Sequence, residues 1–187
     1  SDGAASLMTM FYSMRGQGLW SDQRHSNLLD GGNHFYDTYE TKDGKYIGIG
    51  SIEPQFYALL REKAGLTDPE FDHQMDRSKW PSLKEKIAAV FKTKTRDEWD
   101  ALMLGTDVCY APVLSLAEAP EHPHNKARET FLTLDGVVQP APAPRFSRTV
   151  SKASGAIPGV GEHNDSALKD WGFSADAIAA LKASGAL

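Results

Sequence analysis

Residues 36–51 read YDTYETKDGKYIGIGS, in which two β-prone runs flank a short turn centred on Asp43 and Gly44. An Asp-Gly pair favours the positive backbone angles of a tight hairpin turn, and each flanking run alternates its side chains between two faces. The stretch therefore predicts an antiparallel β-hairpin, with helices on either side of it.

Apolar side chains recur at helical spacing before and after this hairpin. Residues 4–15, AASLMTMFYSMR, predict one helix with a broad apolar face that needs cover on more than one side. Residues 16–35 are rich in Gly, Asn, Asp and Ser, which predicts a long irregular connector of the kind that often carries function. Residues 54–66 predict a helix that ends at Gly65. Its predicted buried stripe comprises Phe56, Leu59, Leu60 and Ala64.

A second pair of helices is predicted in the middle of the chain. Pro81 lies in the first turn of a helix that extends over residues 82–94. Thr95 has the acceptor side chain of an N-cap, and Glu98 three residues later completes a capping box for the next helix. The predicted buried face of the first of these helices comprises Leu83, Ile87, Val90 and Phe91.

Shorter elements are predicted toward the C-terminus. Residues 111–119 indicate a short strand followed by a helical turn, and residues 131–148 indicate a hairpin or meander around Asp135 and Gly136. A flexible segment rich in Ser, Gly and Pro then leads into two short helices, DSALKDWGF and SADAIAALKASG.

Composition excludes several classes of protein. The 187 residues are 41% hydrophobic and 24% charged, which suits one domain, or a small domain plus part of another, rather than a disordered chain. A formal net charge of −5 argues against a nucleic-acid binder. No apolar run approaches the roughly 20 residues that span a bilayer. We therefore expect a soluble, cytoplasmic, metal-free protein.

The single cysteine and one pair of histidines are candidates for chemistry. Cys109 excludes an intrachain disulfide, and because no basic residue or pairing histidine flanks it, we expect a buried structural cysteine. His122 and His124 are two residues apart with Pro123 between them, which disfavours a metal site on a helix or a strand. We expect them to serve in capping or surface hydrogen bonds.

Two glycine patterns resemble phosphate-binding loops only in part. Gly48 and Gly50 lack the third glycine and the downstream acid of a dinucleotide fingerprint, and residues 158–163, PGVGEH, lack the Lys-Ser/Thr of a phosphate loop. We expect turn glycines in both places.

Glu53 and Tyr36 are the candidate site residues. Glu53 lies between the second hairpin strand and the helix that begins at Pro54, where free amides and the helix dipole favour a carboxylate. It is either a helix cap or a carboxylate that orients and charges a catalytic base. Tyr36, at the end of the connector, either presents its ring and hydroxyl to a ligand or packs in the core.

Residues 28–60, LLDGGNHFYDTYETKDGKYIGIGSIEPQFYALL, resemble the α-methylacyl-CoA racemases, which belong to the family III CoA-transferase (CaiB/BaiF) superfamily. The likeness covers nearly the whole chain. It continues through the stretches DRSKWPSLKEKIAAVF, TRDEWDAL, DVCYAPVLSLAEAPEHPHNKAR, PAPAPRFSRT and PGVGEHN.

The resemblance implies an α+β fold that forms only the C-terminal half of such an enzyme. Residues 1–35 would be a linker helix and connector from the large domain. Residues 36–148 would be a small domain of antiparallel β-hairpins and packed helices. Residues 149–187 would be a C-terminal tail that returns to the α/β large domain, which is missing here together with the groups that carry the proton.

The resemblance also implies a reaction and its partners. The full enzyme would interconvert (2R)- and (2S)-2-methylacyl-CoA through an enolate, as an interlocked homodimer with no metal or redox cofactor, since CoA is part of the substrate. Glu53 would orient the partner subunit's catalytic histidine, and Tyr36 would contact the acyl chain. The alternatives are a family III CoA-transferase and, from another class, a non-catalytic interaction or dimerisation domain. The isolated chain is expected to be inactive.

Overall fold

A computed structural model describes residues 1–153, 155 and 157–187. It combines helices with small antiparallel sheets, which confirms the α+β character, and it divides into two compact units, Ser1–Leu114 and Ser115–Leu187. The three-part division predicted from the sequence stays a prediction. Two positions of the predicted Ser/Gly/Pro segment, 154 and 156, lie outside the described residues.

The N-terminal apolar stretch forms two helices, so the prediction of a single helix was wrong. Helices α1 (Asp2–Leu7) and α2 (Thr9–Gly16) are separated by Met8. The Thr9 hydroxyl donates to the Ser6 carbonyl at 2.7 Å, and such local hydrogen bonds compete with a continuous helix. Neither helix buries a residue within the first unit, as far as the chain is described.

The predicted hairpin is confirmed as strands β1 (Tyr36–Glu40) and β2 (Tyr46–Gly50). Gly44 adopts a φ of 72° in the turn, which explains why glycine is needed there. Strand β3 (Tyr110–Val113) pairs antiparallel with the other side of β2, so that β2 is the central strand of a three-stranded sheet.

The register of this sheet gives it two unlike faces. Pairing of Tyr36 with Gly50 and of Gly48 with Ala111 places these four residues on one face, which is largely open. The alternate residues point to the opposite side, where most of them belong to the hydrophobic core or pack against it. The buried residues of that core face are Tyr39, Ile47 and Ile49.

Helices α3 (Pro54–Ala64), α4 (Trp80–Phe91) and α5 (Arg96–Met103) complete the core of the first unit. Gly65 ends α3 with a φ of 69°, and the Thr95–Glu98 capping box begins α5, both as predicted. The fully buried side chains of these helices include Leu60, Leu83, Ile87, Phe91, Trp99 and Met103.

The predicted buried stripe of α3 was partly wrong. Leu60 and Ala64 are buried as expected, but Phe56 and Leu59 are only half-buried, and Tyr57 lies in the core instead. The Tyr57 hydroxyl makes two buried hydrogen bonds, which satisfy its polar end there. Val90 of α4, also predicted as buried, is half-buried and packs against the core.

The second unit contains α6 (Pro123–Ala127), a hairpin of β4 (Phe131–Leu134) and β5 (Val137–Pro140), α7 (Asn164–Asp170) and α8 (Ala175–Ala183). The hairpin and both C-terminal helices confirm the sequence predictions. Among its described residues only Ile178 is buried, so this unit has little core of its own.

Candidate active site

The open face of the three-stranded sheet forms a shallow groove with a volume of about 520 Å³. We call it the sheet groove. Its floor is β2, where Gly48 and Gly50 carry no side chains, and its walls come from the end of the connector, β1 and the start of β3. Glycine in a strand interior often marks a place where a ligand approaches the backbone closely. The lining residues include Asp30, Gly31, Tyr36, Asp37, Cys109 and Tyr110.

Tyr36 forms one wall of the sheet groove. A Cβ atom at Gly50 would lie 3.4 Å and 3.5 Å from two carbons of the Tyr36 ring, so the ring lies close against the strand backbone. The side chain is 36% exposed. The ring therefore packs against the strand while part of it is open to the groove, and a ligand-binding role for Tyr36 stays a prediction.

The connector before β1 is irregular, as predicted, but three of its polar residues, Asn27, Asn33 and His34, are buried, which the sequence analysis missed. The Asn27 amide accepts the Ser21 backbone N–H at 2.8 Å and donates to the Asp30 carboxylate at 2.7 Å. Asn33 donates to the Leu28 carbonyl at 2.6 Å. These bonds replace regular secondary structure and hold the connector in one shape beside the groove.

His34 is a fully buried member of this connector. Tyr57 donates its hydroxyl proton to the Phe71 carbonyl at 2.9 Å, so His34 Nε2, 2.7 Å away, is assigned as the donor to the Tyr57 oxygen. His34 Nδ1 has no hydrogen-bond partner within the described part of the chain. Burial, and secondarily the positive charge of Lys84, lowers the pKa of His34 to about 4, so the ring is neutral at physiological pH.

Glu53 occupies the N-cap position of α3, with extended backbone angles (φ −70°, ψ 144°). Its exposed carboxylate makes no capping hydrogen bond among the described residues. The hydrogen bond that a side-chain cap requires is therefore not present there. The Glu53 side chain does not line the sheet groove, but Glu53 lies only three residues after Gly50 in the sequence. Its negative charge acts on Cys109, which lines the groove.

Cys109 is exposed, so the expectation of a buried cysteine was wrong. It has a positive φ of 58° at the entry to β3, where its carbonyl accepts the Gly50 N–H at 2.9 Å. Partial burial, together with the negative charges of Glu53 and Asp107, raises the pKa of its thiol. These surroundings disfavour the thiolate, which argues against a nucleophile as the sequence did.

The remaining candidates have structural roles. His122 caps α6, since its Nδ1 accepts the His124 N–H at 3.3 Å, which confirms the capping prediction. Gly48 and Gly50 lie within a strand, so the expectation of turn glycines was wrong for them, whereas Gly161 has a turn conformation with a φ of 75°.

Two features are absent from the described residues. These residues hold no group of three or more His, Cys, Asp or Glu side chains placed to bind a metal ion. They also include no helix with the length and apolar character needed to cross a membrane.

The sequence is similar to one family over most of its length. The profile of CoA-transferase family III matches residues 2–164. The chain is 44% identical over 183 residues to the alpha-methylacyl-CoA racemase of Mus musculus and 41% identical over 179 residues to that of Homo sapiens. These alignments cover 96% and 95% of this chain but 48% and 47% of the relatives, so the chain spans about half the length of the curated relatives it matches.

Solved structures share the fold at much lower identity. The Mycobacterium tuberculosis protein Rv3272 superposes with a TM-score of 0.62 at 19% identity, over 88% of this chain and 43% of that one. A CAIB/BAIF family protein from Brucella suis gives a TM-score of 0.59 at 22% identity, over 72% and 37% of the two chains.

Proposed function

The chain belongs to CoA-transferase family III, and we propose that it is part of an α-methylacyl-CoA racemase. The carrying observation is the 44% identity to the mouse racemase across 96% of this chain. Another relative, an acyl-CoA transferase of Fusarium pseudograminearum, is only 27% identical over 80% of the chain, which favours racemase over transferase.

The proposed reaction inverts the carbon next to a thioester carbonyl. Removal of the α-proton gives an enolate, which placed hydrogen-bond donors must stabilise. Return of a proton to the opposite face requires a second acid–base group with a pKa near the working pH. CoA is part of the substrate, and the proposal requires no metal or redox cofactor.

Glu53 is proposed to orient the histidine that carries one of these protons. A carboxylate that accepts the histidine N–H fixes the tautomer and favours the protonated ring. Glu53 suits this role because it is exposed and its side chain is not occupied by a helix-capping bond among the described residues. The proton carriers themselves would come from the part of the enzyme that corresponds to the other half of the racemase relatives.

Tyr36 and the sheet groove are proposed to receive the acyl chain. The glycine floor admits a chain close to the backbone, and the Tyr36 ring offers an apolar wall. We further propose that the complete enzyme is a homodimer in which this surface faces the partner's large domain. The cytoplasmic location expected from the sequence stays a prediction.

The test uses a family-length enzyme, by which we mean a polypeptide as long as the mouse and human relatives that contains these 187 residues. A (2R)-2-methylacyl-CoA is incubated with this enzyme in heavy water without any acceptor acid. The substrate should gain deuterium at its α-carbon and lose its optical purity. The 187-residue chain alone should cause neither change.

The alternatives give different outcomes in the same experiment. Transfer of CoA to an added carboxylic acid, without deuterium at the α-carbon, would identify a CoA-transferase. The absence of both reactions in a folded family-length enzyme would identify a non-catalytic interaction domain. Deuterium incorporation by the isolated chain would contradict the assignment of the proton carriers to the other half.

A further inference from the structure

Lys84 joins three separate elements beside the sheet groove. From α4, its ammonium group donates to the carboxylate of Asp37 in β1, with 2.6 Å between Nζ and Oδ2. It also donates to the carbonyl of Gly31 in the connector. One side chain of α4 thus fixes the connector against the first strand of the sheet.

The geometry around this junction is closely constrained. The other Asp37 oxygen accepts the Thr38 backbone N–H at 2.8 Å, so the carboxylate is held from both sides. Gly31 has a φ of 79°, and a Cβ atom there would lie 3.0–3.4 Å from the Asp37 carboxylate. The Lys84 and Asp37 side chains are only 24% and 22% exposed. Removing one member would leave the other charge poorly solvated and unpaired, which is strongly unfavourable.

This junction adjoins the part of the groove that carries Tyr36. Gly31 and Asp37 both line the groove, and Asp37 follows Tyr36 directly in β1. With Lys84 in place, the Asp37 charge is neutralised at the edge of the groove. Without Lys84, the Asp37 carboxylate would be unpaired at the edge of the groove, and the connector could move relative to the Tyr36 ring.

We infer that Lys84 is a positioning residue for the sheet groove. Lys84 holds the connector on β1 and thereby sets the position of the Tyr36 ring in the groove wall. The inference rests on the proposed function for what the groove binds. It implies that the loss of Lys84 weakens substrate binding while the chemical groups remain in place.

Lys86 provides a matched control on the same helix. Its ammonium group forms ion pairs with Asp68 at 2.5 Å and with Glu70 at 2.6 Å, so it also joins two acceptors through short contacts. None of these three residues lines the sheet groove. Lys86 is more exposed than Lys84, at 40% against 24%, so the comparison rests on KM and on Cys109 alkylation, which report the groove, rather than on equal losses of stability.

The kinetic experiment compares Lys84→Met, Lys84→Arg and Lys86→Met in the family-length enzyme. Binding contacts that are equal in the ground state and the transition state change KM rather than kcat. We expect Lys84→Met to raise KM by roughly tenfold with kcat nearly unchanged, because a displaced connector weakens contacts that are equal in the ground state and the transition state. Lys84→Arg keeps the charge and should restore most of the binding, and Lys86→Met should match the wild type.

A second measurement does not depend on the enzymatic reaction. Cys109 is the only cysteine of the 187-residue chain and lines the same groove, so its alkylation rate with iodoacetamide reports the local structure. Lys84→Met should accelerate the alkylation because the connector is released, whereas Lys86→Met should leave it unchanged. If the wild-type enzyme does not racemise the substrate, the proposed function is contradicted, but the alkylation rate still tests the role of Lys84.

Several results would overturn the inference. Unchanged KM and unchanged Cys109 alkylation in folded Lys84→Met would do so, as would equal changes in Lys84→Met and Lys86→Met. If Lys84→Met does not fold, Asp37→Asn removes the same ion pair while it retains the size of the side chain. A wild-type KM and alkylation rate in Asp37→Asn would then contradict a positioning role.

Discussion

The two faces of the three-stranded sheet differ in every property that matters for stability and binding. The core face carries Tyr39, Ile47 and Ile49, all buried under the helices. The open face carries Tyr36, Gly48 and Gly50, which line the sheet groove. Because side chains alternate along a strand, one short sequence supplies both surfaces.

The difference indicates a division of labour within single strands. Large side chains on the core face contribute buried apolar area, whereas glycine on the open face adds no side chain to the packing and destabilises a strand. A protein that only needed to fold would gain stability from larger residues at the glycine positions. The predictions below test whether stability belongs to one face and substrate binding to the other.

The largest effect is expected on the core face. Ile47→Ala removes a fully buried side chain and should lower the free energy of unfolding by about 2–5 kcal/mol, measured by urea denaturation of the 187-residue chain. Val113→Ala, on the open face, is the control and should change it by no more than about 0.5 kcal/mol. Equal losses at both positions would remove the distinction between the faces.

A pH-dependent loss of stability is expected beneath the core face. His34 has a folded-state pKa of about 4 against an ordinary value of 6.5, so below pH 6.5 the unfolded chain binds the proton more readily. Stability should therefore fall between pH 6.5 and pH 4, by about 3 kcal/mol in total, with no further loss from this group at lower pH.

The control for this prediction is His34→Gln, which cannot titrate. Urea denaturation across the same pH range should show a smaller loss of stability in His34→Gln than in the wild type. Parallel curves for the two proteins would contradict the assignment of a buried neutral imidazole to His34.

Local signals in the sequence predicted most of the fold. The Asp43-Gly44 turn, the Gly65 helix end and the Thr95–Glu98 capping box each involve residues within a few positions of one another, and all are confirmed. These features depend on backbone angles and short-range hydrogen bonds. They can therefore be recognised without knowing what packs against them.

Apart from the break between α1 and α2, which is local, the errors concern residues whose environment depends on distant parts of the chain. The sequence analysis predicted an irregular connector without assigning any of its residues to the interior, yet Asn27, Asn33 and His34 are buried. Tyr57 is buried because its hydroxyl reaches both His34 and Phe71, 23 and 14 residues away. A buried polar residue is predictable only together with its partners, and these partners are not adjacent in sequence.

The candidate site was partly predictable for the same reason. Tyr36 and Glu53 were identified from their places at the ends of the hairpin, which local pattern fixes. The Lys84–Asp37 ion pair spans 47 residues, and no motif indicated it. Gly48 and Gly50 form the floor of the groove only because of how β2 pairs with its neighbouring strands. The sequence alone did not provide the pairing of β2 with β3.

Glu53→Gln should separate catalysis from stability at the end of β2. The change removes the charge but keeps the size, so the racemisation rate of the family-length enzyme should fall by roughly 10- to 100-fold, by analogy with lost residues that orient metal-bound histidines. The limb of the pH–rate profile that reports the histidine should move to lower pH, because the charged ring loses its stabilising carboxylate.

The same variant should be almost as stable as the wild type. Glu53 is exposed and makes no capping hydrogen bond with the described residues, so its unfolding free energy should change by no more than about 0.5 kcal/mol. A normal rate and an unshifted pH profile would exclude the proposed role, whereas a stability loss near 1 kcal/mol would indicate a helix cap.

The smallest effect is expected from Gly50→Ala in the floor of the groove. Its φ is not positive, and the new Cβ would lie 3.4 Å from the Tyr36 ring and 3.9 Å from the Cys109 Cβ, which are ordinary contacts. The strand should therefore keep its stability or gain up to about 1 kcal/mol, since alanine loses less backbone entropy than glycine on folding.

Binding should change in the opposite direction, because the added methyl group occupies space next to Tyr36 that the acyl chain would use. We expect KM for a 2-methylacyl-CoA to rise by no more than about tenfold with little change in kcat. Gly48→Ala is the comparison: its Cβ would meet nothing nearer than the Ala111 carbonyl at 3.9 Å, so a smaller rise is expected. A Gly50→Ala enzyme that is both more stable and equally able to bind substrate would mean that the open face has no need of its glycines, and the acyl chain would have to bind elsewhere.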